Sequence, residues 1–347
     1  MARIRRVDCS GPGIRRRRRG RSFSYEEPDG RPVTDPEALA RIRALAIPPA
    51  WKDVWICPIP SGHLQAVGTD AAGRRQYLYH EAWRTRRDAA KFDHMLEFAH
   101  ALPELRERAA EHLEQDGLTR ERVLACATRL LDRGFFRMGT EGYAEQNQTY
   151  GLATIQKRHV RLDGDLITFD YVSKSGKRRL ASVLDPAVRE VVAQLKRRRG
   201  GPDLLAFKRG RAWVDVRSDD INDYIKEQTG GDFTAKDFRT WSATVLAAVA
   251  MATSFPQARS RTARQRAISR AVKEVAHYLG NTPAVCRASY IDPRVFDRYR
   301  SGLTIAAALT ELGEVEEYGE PAHQGAIEEA VLDLIEEKRA PALDLIA

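Results

Sequence analysis

The chain has 347 residues, more than a single hydrophobic core usually holds, so two domains are expected. An excess of 57 Lys and Arg over 48 Asp and Glu gives a net charge of +9, which favours a polyanionic partner such as nucleic acid, although solubility explains it equally well. Four widely spaced cysteines argue against a zinc knuckle or a dense disulfide framework, and no apolar run is long enough for a membrane span. We therefore expect a soluble cytoplasmic protein with no membrane partner, associated with the nucleoid if the source is bacterial.

The first 88 residues divide into two segments of different character. Residues 1–22 are rich in arginine, with an unbroken run at Arg15–Arg19. Because like charges repel, we expect a flexible basic arm there that orders on phosphate, with a solubilising tail as the alternative. Within residues 23–88, the stretch from Pro32 to Tyr79 is rich in Pro, Gly and aromatic residues, with short apolar runs at 54–57 and 64–67 that predict strands. We therefore expect a β-rich N-terminal domain.

Residues 89–347 form the second expected domain, and its pattern is mostly helical. Its clearest helix has Thr119 as N-cap and stops at Gly134. Between residues 158 and 183 the pattern changes to β-branched and aromatic residues with two turn signals, which predicts a three-stranded antiparallel sheet with Lys174 at the second turn. Helices resume after Asp185 and continue towards the C-terminus. The fold class is therefore α+β.

Several common chemistries have no signature in the chain. There is no His-Glu-x-x-His zinc motif, and the dipeptide Gly176-Lys177 lacks the glycine that a phosphate-binding loop needs at position 171. Nor is there a clear carboxylate cluster for a metal ion. We therefore expect no cofactor and no bound nucleotide triphosphate, so any phosphoryl transfer would depend on cationic side chains.

Metal-free cleavage of a phosphodiester needs three kinds of group. These are a nucleophile, cations that offset charge on the non-bridging oxygens, and an acid that protonates the departing alkoxide. Arginine suits the second task because its planar fork grips two phosphate oxygens and keeps its charge, and lysine suits the third.

Segments with this chemistry occur in a recognisable order. They are RMGTEGY at 137–143 with TYGLAT at 149–154, KDFRTW at 236–241, GNTP at 280–283 with SYIDP at 289–293, and GRRQYLY at 73–79. In these segments the chain resembles the poxvirus-type and bacterial type IB DNA topoisomerases, and the resemblance extends from about residue 25 to about residue 305.

The resemblance implies a role for each matching residue. Tyr290 would be the nucleophile, Arg137 and Arg239 would hold the scissile phosphate, and Lys174 would be the general acid for the 5′ oxygen. The residues that would contact DNA are Arg74, Arg75, Gln76, Tyr77, Tyr79, Tyr143 and Lys236, the last of which would also assist Arg239 from the same helical turn.

One position departs from the family pattern. Asn281 stands where most relatives carry histidine, so it can donate a neutral hydrogen bond to a phosphate oxygen but cannot supply positive charge. We expect Asn281 to take the catalytic place of that histidine in a somewhat slower enzyme. His277, one helical turn earlier, is a weaker candidate for the same task.

The implied activity is relaxation of supercoiled duplex DNA. A monomer would clamp the duplex, cleave one strand through a 3′-phosphotyrosine bond, allow rotation and rejoin the strand without ATP or a required metal. A tyrosine recombinase is the nearest alternative, but recombinases usually carry histidine where Lys236 stands. A DNA-binding module with a decayed active site is the alternative from another class.

Overall fold

A computed structural model describes residues 3–139, 144, 147–312, 324–337 and 344–345 of the chain. By internal contacts the chain divides into two compact units, Met1–Phe92 and Asp93–Ala347. The sequence-based boundary lay at residues 88 and 89.

The described elements alternate between helices and short strands. The helices are α1 (Pro36–Ala44), α2 (Glu81–Leu113), α3 (Arg120–Gly134), α4 (Pro186–Arg197), α5 (Ser218–Thr229), α6 (Ala235–Ser254), α7 (Arg261–Leu279), α8 (Pro283–Ser289), α9 (Pro293–Arg300), α10 (Ala306–Leu312) and α11 (Ala326–Glu336). The strands are β1 (Ile14–Arg19), β2 (Ser22–Glu26), β3 (Lys52–Ile56), β4 (Leu64–Thr69), β5 (Arg75–Tyr79), β6 (Val160–Asp163), β7 (Leu166–Ser173), β8 (Lys177–Leu184), β9 (Ala206–Arg209), β10 (Ala212–Asp215), β11 (Leu303–Thr304) and β12 (Asp344–Leu345). The predicted α+β class is confirmed. Within the described residues, no helix combines the length and apolarity needed to cross a membrane.

The first unit is built on a five-stranded antiparallel sheet. Its strand order is β2-β1-β3-β4-β5. Apolar side chains from the sheet and from α1, including Ile14, Ile42 and Ile56, form its buried core. The strands predicted at 54–57 and 64–67 correspond to β3 and β4.

The expected flexible arm over residues 1–22 is corrected by the structure. Strand β1 pairs with β2 along Arg15–Arg19 and with β3 at its start, so the arginine run lies within the sheet. Neighbouring groups offset the repulsion: Arg16 donates to three backbone carbonyls and lies 4.2 Å from the centre of the Phe23 ring, and Arg17 forms a salt bridge with Glu26. These acceptors belong to other segments, so the local charge pattern gave no sign of them.

The second unit is built around helix α6. This helix is buried along most of its length and packs against α3, α7, α9, α10 and α11. Local signals set the helix ends as predicted: the Thr119 hydroxyl accepts from the amide of Arg122 at the start of α3, and Asp185 caps α4 by accepting from the amide of Val188. The predicted three-stranded sheet is present with the order β6-β7-β8.

A buried polar network attaches helix α11 to this core. Glu328 on α11 accepts hydrogen bonds from the guanidinium of Arg106 and, at 2.8 Å, from the indole nitrogen of Trp241 on α6. Arg106 also forms a salt bridge of 2.8 Å with Asp132 on α3. Because Trp241 follows Arg239 by half a helical turn, the network stabilises the helix that carries two of the predicted site residues.

Candidate active site

Five of the predicted site residues line one cavity in the second unit. They come from four separate segments of the chain, and the cavity that they line has a volume of about 350 Å³. The five are Arg137, Lys174, Lys236, Arg239 and Tyr290. Asn281 joins them because its Oδ1 accepts a hydrogen bond from Arg137. The structure therefore gathers all five expected catalytic side chains, together with Lys236.

Two close backbone approaches hold the segment that carries Arg137. The carbonyls of Arg137 and Met138 accept, each at 2.8 Å, from the amides of Leu152 and Ala153. A β-carbon on Gly139 would lie 2.8 Å from backbone atoms of Gly151, and Gly139 also has a φ of +77°. The glycines of the two matching motifs thus allow two loops to lie against each other beneath the arginine.

Arg239 and Lys236 project from the first turns of α6. Cations near a helix N-terminus oppose the helix dipole, so a functional reason for them is expected there. The helix compensates with Asp237, whose carboxylate accepts from the Thr234 amide at 2.8 Å. Lys236 is exposed, whereas only 5% of the Arg239 surface is exposed.

Lys174 enters the cavity from the turn between β7 and β8. A single 3₁₀ turn at Lys174–Gly176 joins the two strands, which pair continuously up to Ser173 and Lys177. The lysine side chain is exposed on a short, well-paired hairpin. This agrees with the turn position expected from the sequence.

Tyr290 follows the last residue of α8, and its backbone is fixed to α6. Its amide donates to the Cys286 carbonyl at 2.9 Å, and the buried Thr244 hydroxyl lies 3.4 Å from its carbonyl oxygen. The same hydroxyl accepts from the Asp292 amide at 3.1 Å. The guanidinium carbon of Arg239 lies 5.3 Å from the centre of the Tyr290 ring, so this arginine and the phenol are neighbours.

The C-terminal end of α7 is an acceptor site for arginines. Gly280 has a φ of +64°, which lets the chain fold back so that the amides of Gly280 and Asn281 bond to carbonyls of the preceding turn. The three carbonyls that follow accept from three different arginines: Tyr278 O from Arg179 at 2.8 Å, Leu279 O from Arg239 at 2.8 Å, and Gly280 O from Arg137 at 2.9 Å. Cations are stabilised at this end of a helix because its unpaired carbonyls carry negative partial charge.

Asn281 presents an unused donor beside this helix end. Because a guanidinium can only donate, its contact with Arg137 identifies the amide oxygen as the acceptor and leaves the Nδ2 group on the other side. That Nδ2 is buried and has no hydrogen-bond partner within the part of the chain that the structure describes. A buried donor without an acceptor is unfavourable, so an anion within reach of Nδ2 would satisfy it.

The electrostatics of the cavity favour an anion. Burial lowers the pKa of Arg239 to about 10, the charge of Arg137 contributes to the shift, and the Tyr290 phenol opposes it. The described residues that line the cavity include two arginines and two lysines but no carboxylate. A phosphate group would offset this crowded positive charge.

The predicted DNA-contact residues of the first unit divide between two faces of β5. Tyr77 and Tyr79 stack at a centroid distance of 6.3 Å and are 45% and 42% exposed, and Arg75 lies on the same face. Gln76 points to the other face, where its amide donates to Asp70 at 2.9 Å. Arg74 precedes the strand and also pairs with Asp70.

Two further residues were candidates from the sequence, Tyr143 and His277. Tyr143 lies outside the described residues. His277 is exposed on α7 and is not among the described residues that line the cavity.

Arg179 is a residue near the site that the sequence reasoning missed. It lies on β8 directly across from Tyr171, and its guanidinium reaches the carbonyls of Tyr278 and Phe135. The sequence alone could have identified it. If the residues of β7 and β8 are paired one by one starting from the turn, Arg179 lies on the same face of the sheet as the buried apolar residues of β7.

Comparison with known proteins identifies the family. A sequence model of the eukaryotic DNA topoisomerase I catalytic core matches residues 80–315, and one of the bacterial DNA topoisomerase IB N-terminal domain matches residues 22–70. The chain is 30% identical over 298 residues to the DNA topoisomerase 1B of Acanthamoeba polyphaga mimivirus, a match that covers 83% of this chain and 88% of the viral protein. The chain belongs to the type IB DNA topoisomerase family.

More distant viral relatives match a shorter part of the chain. The DNA topoisomerase 1 of rabbit fibroma virus is 23% identical over 236 residues, 67% of this chain and 70% of that protein. The DNA topoisomerase I of monkeypox virus is 20% identical over 233 residues, 67% of this chain and 71% of that protein. The resemblance inferred from the motifs is confirmed, and by family the protein is a DNA topoisomerase I, which is an isomerase.

Proposed function

We propose that this enzyme relaxes supercoiled duplex DNA by transient cleavage of one strand, with Tyr290 as the nucleophile. The observation that carries the proposal is the single cavity in which Tyr290 meets Arg137, Arg239 and the two lysines. The Tyr290 oxygen attacks a backbone phosphate as its phenolic proton passes to solvent, a 3′-phosphotyrosine bond forms, and the bond to the 5′ oxygen breaks. The strand with the free 5′ hydroxyl rotates and then attacks the phosphotyrosine to restore the DNA.

The polar side chains around Tyr290 stabilise the phosphate or transfer a proton to the leaving oxygen. Arg137 and Arg239 stabilise the charge that develops on the non-bridging oxygens, and the Nδ2 group of Asn281 donates to one of them. Lys174 transfers a proton to the departing 5′ oxygen and recovers it during rejoining, and Lys236 assists beside Arg239. The amide of Asn281 supplies one hydrogen bond without charge, so we expect less stabilisation than a protonated histidine would give.

The energetics require no nucleotide. Cleavage exchanges one phosphodiester for another of similar energy, and the free energy stored in supercoils drives the net change. The proposed reaction therefore proceeds without ATP, and because arginines and lysines offset the charge on the phosphate it has no required metal ion.

The proposed substrate is duplex DNA, held by a monomer that clamps it. Tyr77, Tyr79 and Arg75 form an exposed face suited to base and phosphate contacts. Because cationic contacts to phosphates release counterions, the affinity should fall steeply and linearly in a plot of log affinity against log salt concentration.

Plasmid relaxation in EDTA and without ATP tests the proposal directly. The wild type should relax a plasmid that carries no recombination site, which a recombinase would leave supercoiled. Tyr290→Phe should bind the plasmid but leave it supercoiled, and Tyr278→Phe, which alters an exposed tyrosine, serves as the matched control. The proposal fails if Tyr290→Phe still relaxes the plasmid, or if denatured wild-type reactions contain no protein joined to a DNA 3′ end.

The role of Lys174 can be tested with a modified leaving group. A duplex with sulfur in place of the bridging 5′ oxygen releases a thiolate, which needs no proton to depart. Lys174→Ala should cleave normal DNA slowly and the sulfur-containing DNA at nearly the wild-type rate. Equal defects on both substrates would remove Lys174 from the acid role.

A further inference from the structure

Arg179 joins three segments that meet at the cavity. From β8, its Nη1 donates to Tyr278 O at 2.8 Å, at the end of α7. Its Nη2 lies 3.3 Å from Phe135 O and 3.4 Å from Gly134 O, at the end of α3. One guanidinium therefore bridges the hairpin that carries Lys174, the helix end that precedes Asn281 and the turn that precedes Arg137.

Arg179 shares this turn with Arg239. The Phe135 carbonyl accepts from Nη1 of Arg239 at 2.8 Å, and Arg239 also donates to Leu279 O, the neighbour of the carbonyl that Arg179 uses. If Phe135 moved relative to the end of α7, the distance between the two carbonyls that accept from Arg239, those of Phe135 and Leu279, would change. The same movement would also shift Arg137, which lies two residues after Phe135 and donates to Gly280 O.

The surroundings show that Arg179 is held at an electrostatic cost. Burial lowers the pKa of Arg179, the contact with Tyr171 opposes this shift, and the charge of Arg137 lowers the pKa further. A third arginine beside two others repels them. The bridging geometry explains its presence, because a planar guanidinium can donate in two directions at once whereas a lysine ammonium acts as a compact point charge.

We propose that Arg179 is a positioning residue that sets the distance between the Phe135 turn and the end of α7, and thereby aligns Arg137, Arg239 and Asn281 on the scissile phosphate. The inference rests on the proposed function, since it assigns the alignment of the same cleavage site. Arg179 acts through the other residues and need not touch the DNA. A displacement of catalytic groups by about 1 Å can slow a reaction by on the order of a hundredfold.

The test compares Arg179→Ala, Arg179→Lys and the control Arg178→Ala. Arg178 is the adjacent residue on the opposite face of β8, where it pairs with Asp170 and its side chain is 75% exposed. The control therefore removes the same charge one position away without touching the bridge. Each variant is assayed in single turnover at saturating enzyme on a 5′-labelled suicide duplex built around a mapped cleavage site, and DNA affinity is measured in a Tyr290→Phe background.

Both Arg179 variants should cleave about a hundredfold more slowly with nearly unchanged DNA affinity and melting temperature, and Arg178→Ala should match the wild type. The sulfur-containing duplex should not restore the rate, because the defect lies in the phosphate clamp and not in leaving-group protonation. Cleavage by Arg179→Lys at the wild-type rate would overturn the inference, because charge alone would then suffice. So would a loss of affinity with an unchanged cleavage rate.

A second variant keeps the test informative if Arg179 substitutions prevent folding. Tyr171→Phe removes the hydroxyl that contacts Arg179 and keeps the buried ring. It should cleave more slowly than the wild type, by less than about a hundredfold, and an unchanged rate would count against the inference. If the wild type itself forms no covalent adduct, the proposed function fails first, so the two failures are distinguishable.

Discussion

Replacement of Asn281 tests the position at which this site departs from the family pattern. Asn281→Ala removes the buried, unpaired Nδ2 donor beside Arg137, and Arg137 loses one of its acceptors. Arg137 retains its hydrogen bond of 2.9 Å to Gly280 O, so the arginine should stay close to its place. The main loss is therefore one donor to the phosphate oxygen. Loss of a comparable donor costs about 2.7 to 4 kcal/mol of transition-state stabilisation, and we expect the lower end, a cleavage rate about a hundredfold below wild type.

Two further substitutions at Asn281 make the reasoning sharper. Asn281→Asp has the same shape but places an acceptor where the donor was, with negative charge beside the phosphate, so it should cleave more slowly than Asn281→Ala. Asn281→His restores a donor and should cleave faster than Asn281→Ala. The assay is single-turnover cleavage of a suicide duplex at saturating enzyme. If Asn281→Ala or Asn281→Asp cleaves at the wild-type rate, the amide is not a donor to the phosphate.

Three other substitutions test the frame around the site. Gly151→Ala would place a β-carbon 2.5 Å from the Gly139 amide, so it should displace the loop that carries Arg137. In the same assay this variant should lose cleavage but keep DNA binding. Glu328→Ala leaves the buried indole nitrogen of Trp241 without its acceptor and removes a carboxylate that pairs with Arg106. The free energy of unfolding should fall by about 3 kcal/mol, and thermal denaturation should show a melting temperature roughly 6 to 12 °C lower. Thr244→Val leaves the Asp292 amide without its acceptor and should cost about 1 to 3 kcal/mol in urea unfolding, whereas the Thr→Ser change at the same position should cost less.

Local sequence signals predicted much of the second unit. The Thr119 cap, the Asp185-Pro186 helix start and the β6-β7-β8 sheet all appear where expected. These features depend on hydrogen bonds between residues a few positions apart or across tight turns, so the pattern of a short window is enough. Strand β1 was missed because part of what holds it comes from distant segments: Arg16 donates to the carbonyls of Ile47 and Trp51, and the strand pairs with β3.

The sequence by itself determined which side chains are candidates for chemistry, because ordered motifs preserve residue types and spacing. Only the tertiary structure decided how they meet. Arg137 and Asn281 are 144 positions apart, yet they share a hydrogen bond, and that contact fixes which end of the amide remains available as a donor. The gathering of three arginines at the end of α7 likewise depends on packing between segments. Such long-range contacts form only when the chain is folded, because the residues that satisfy each charge are brought near by elements far away in sequence.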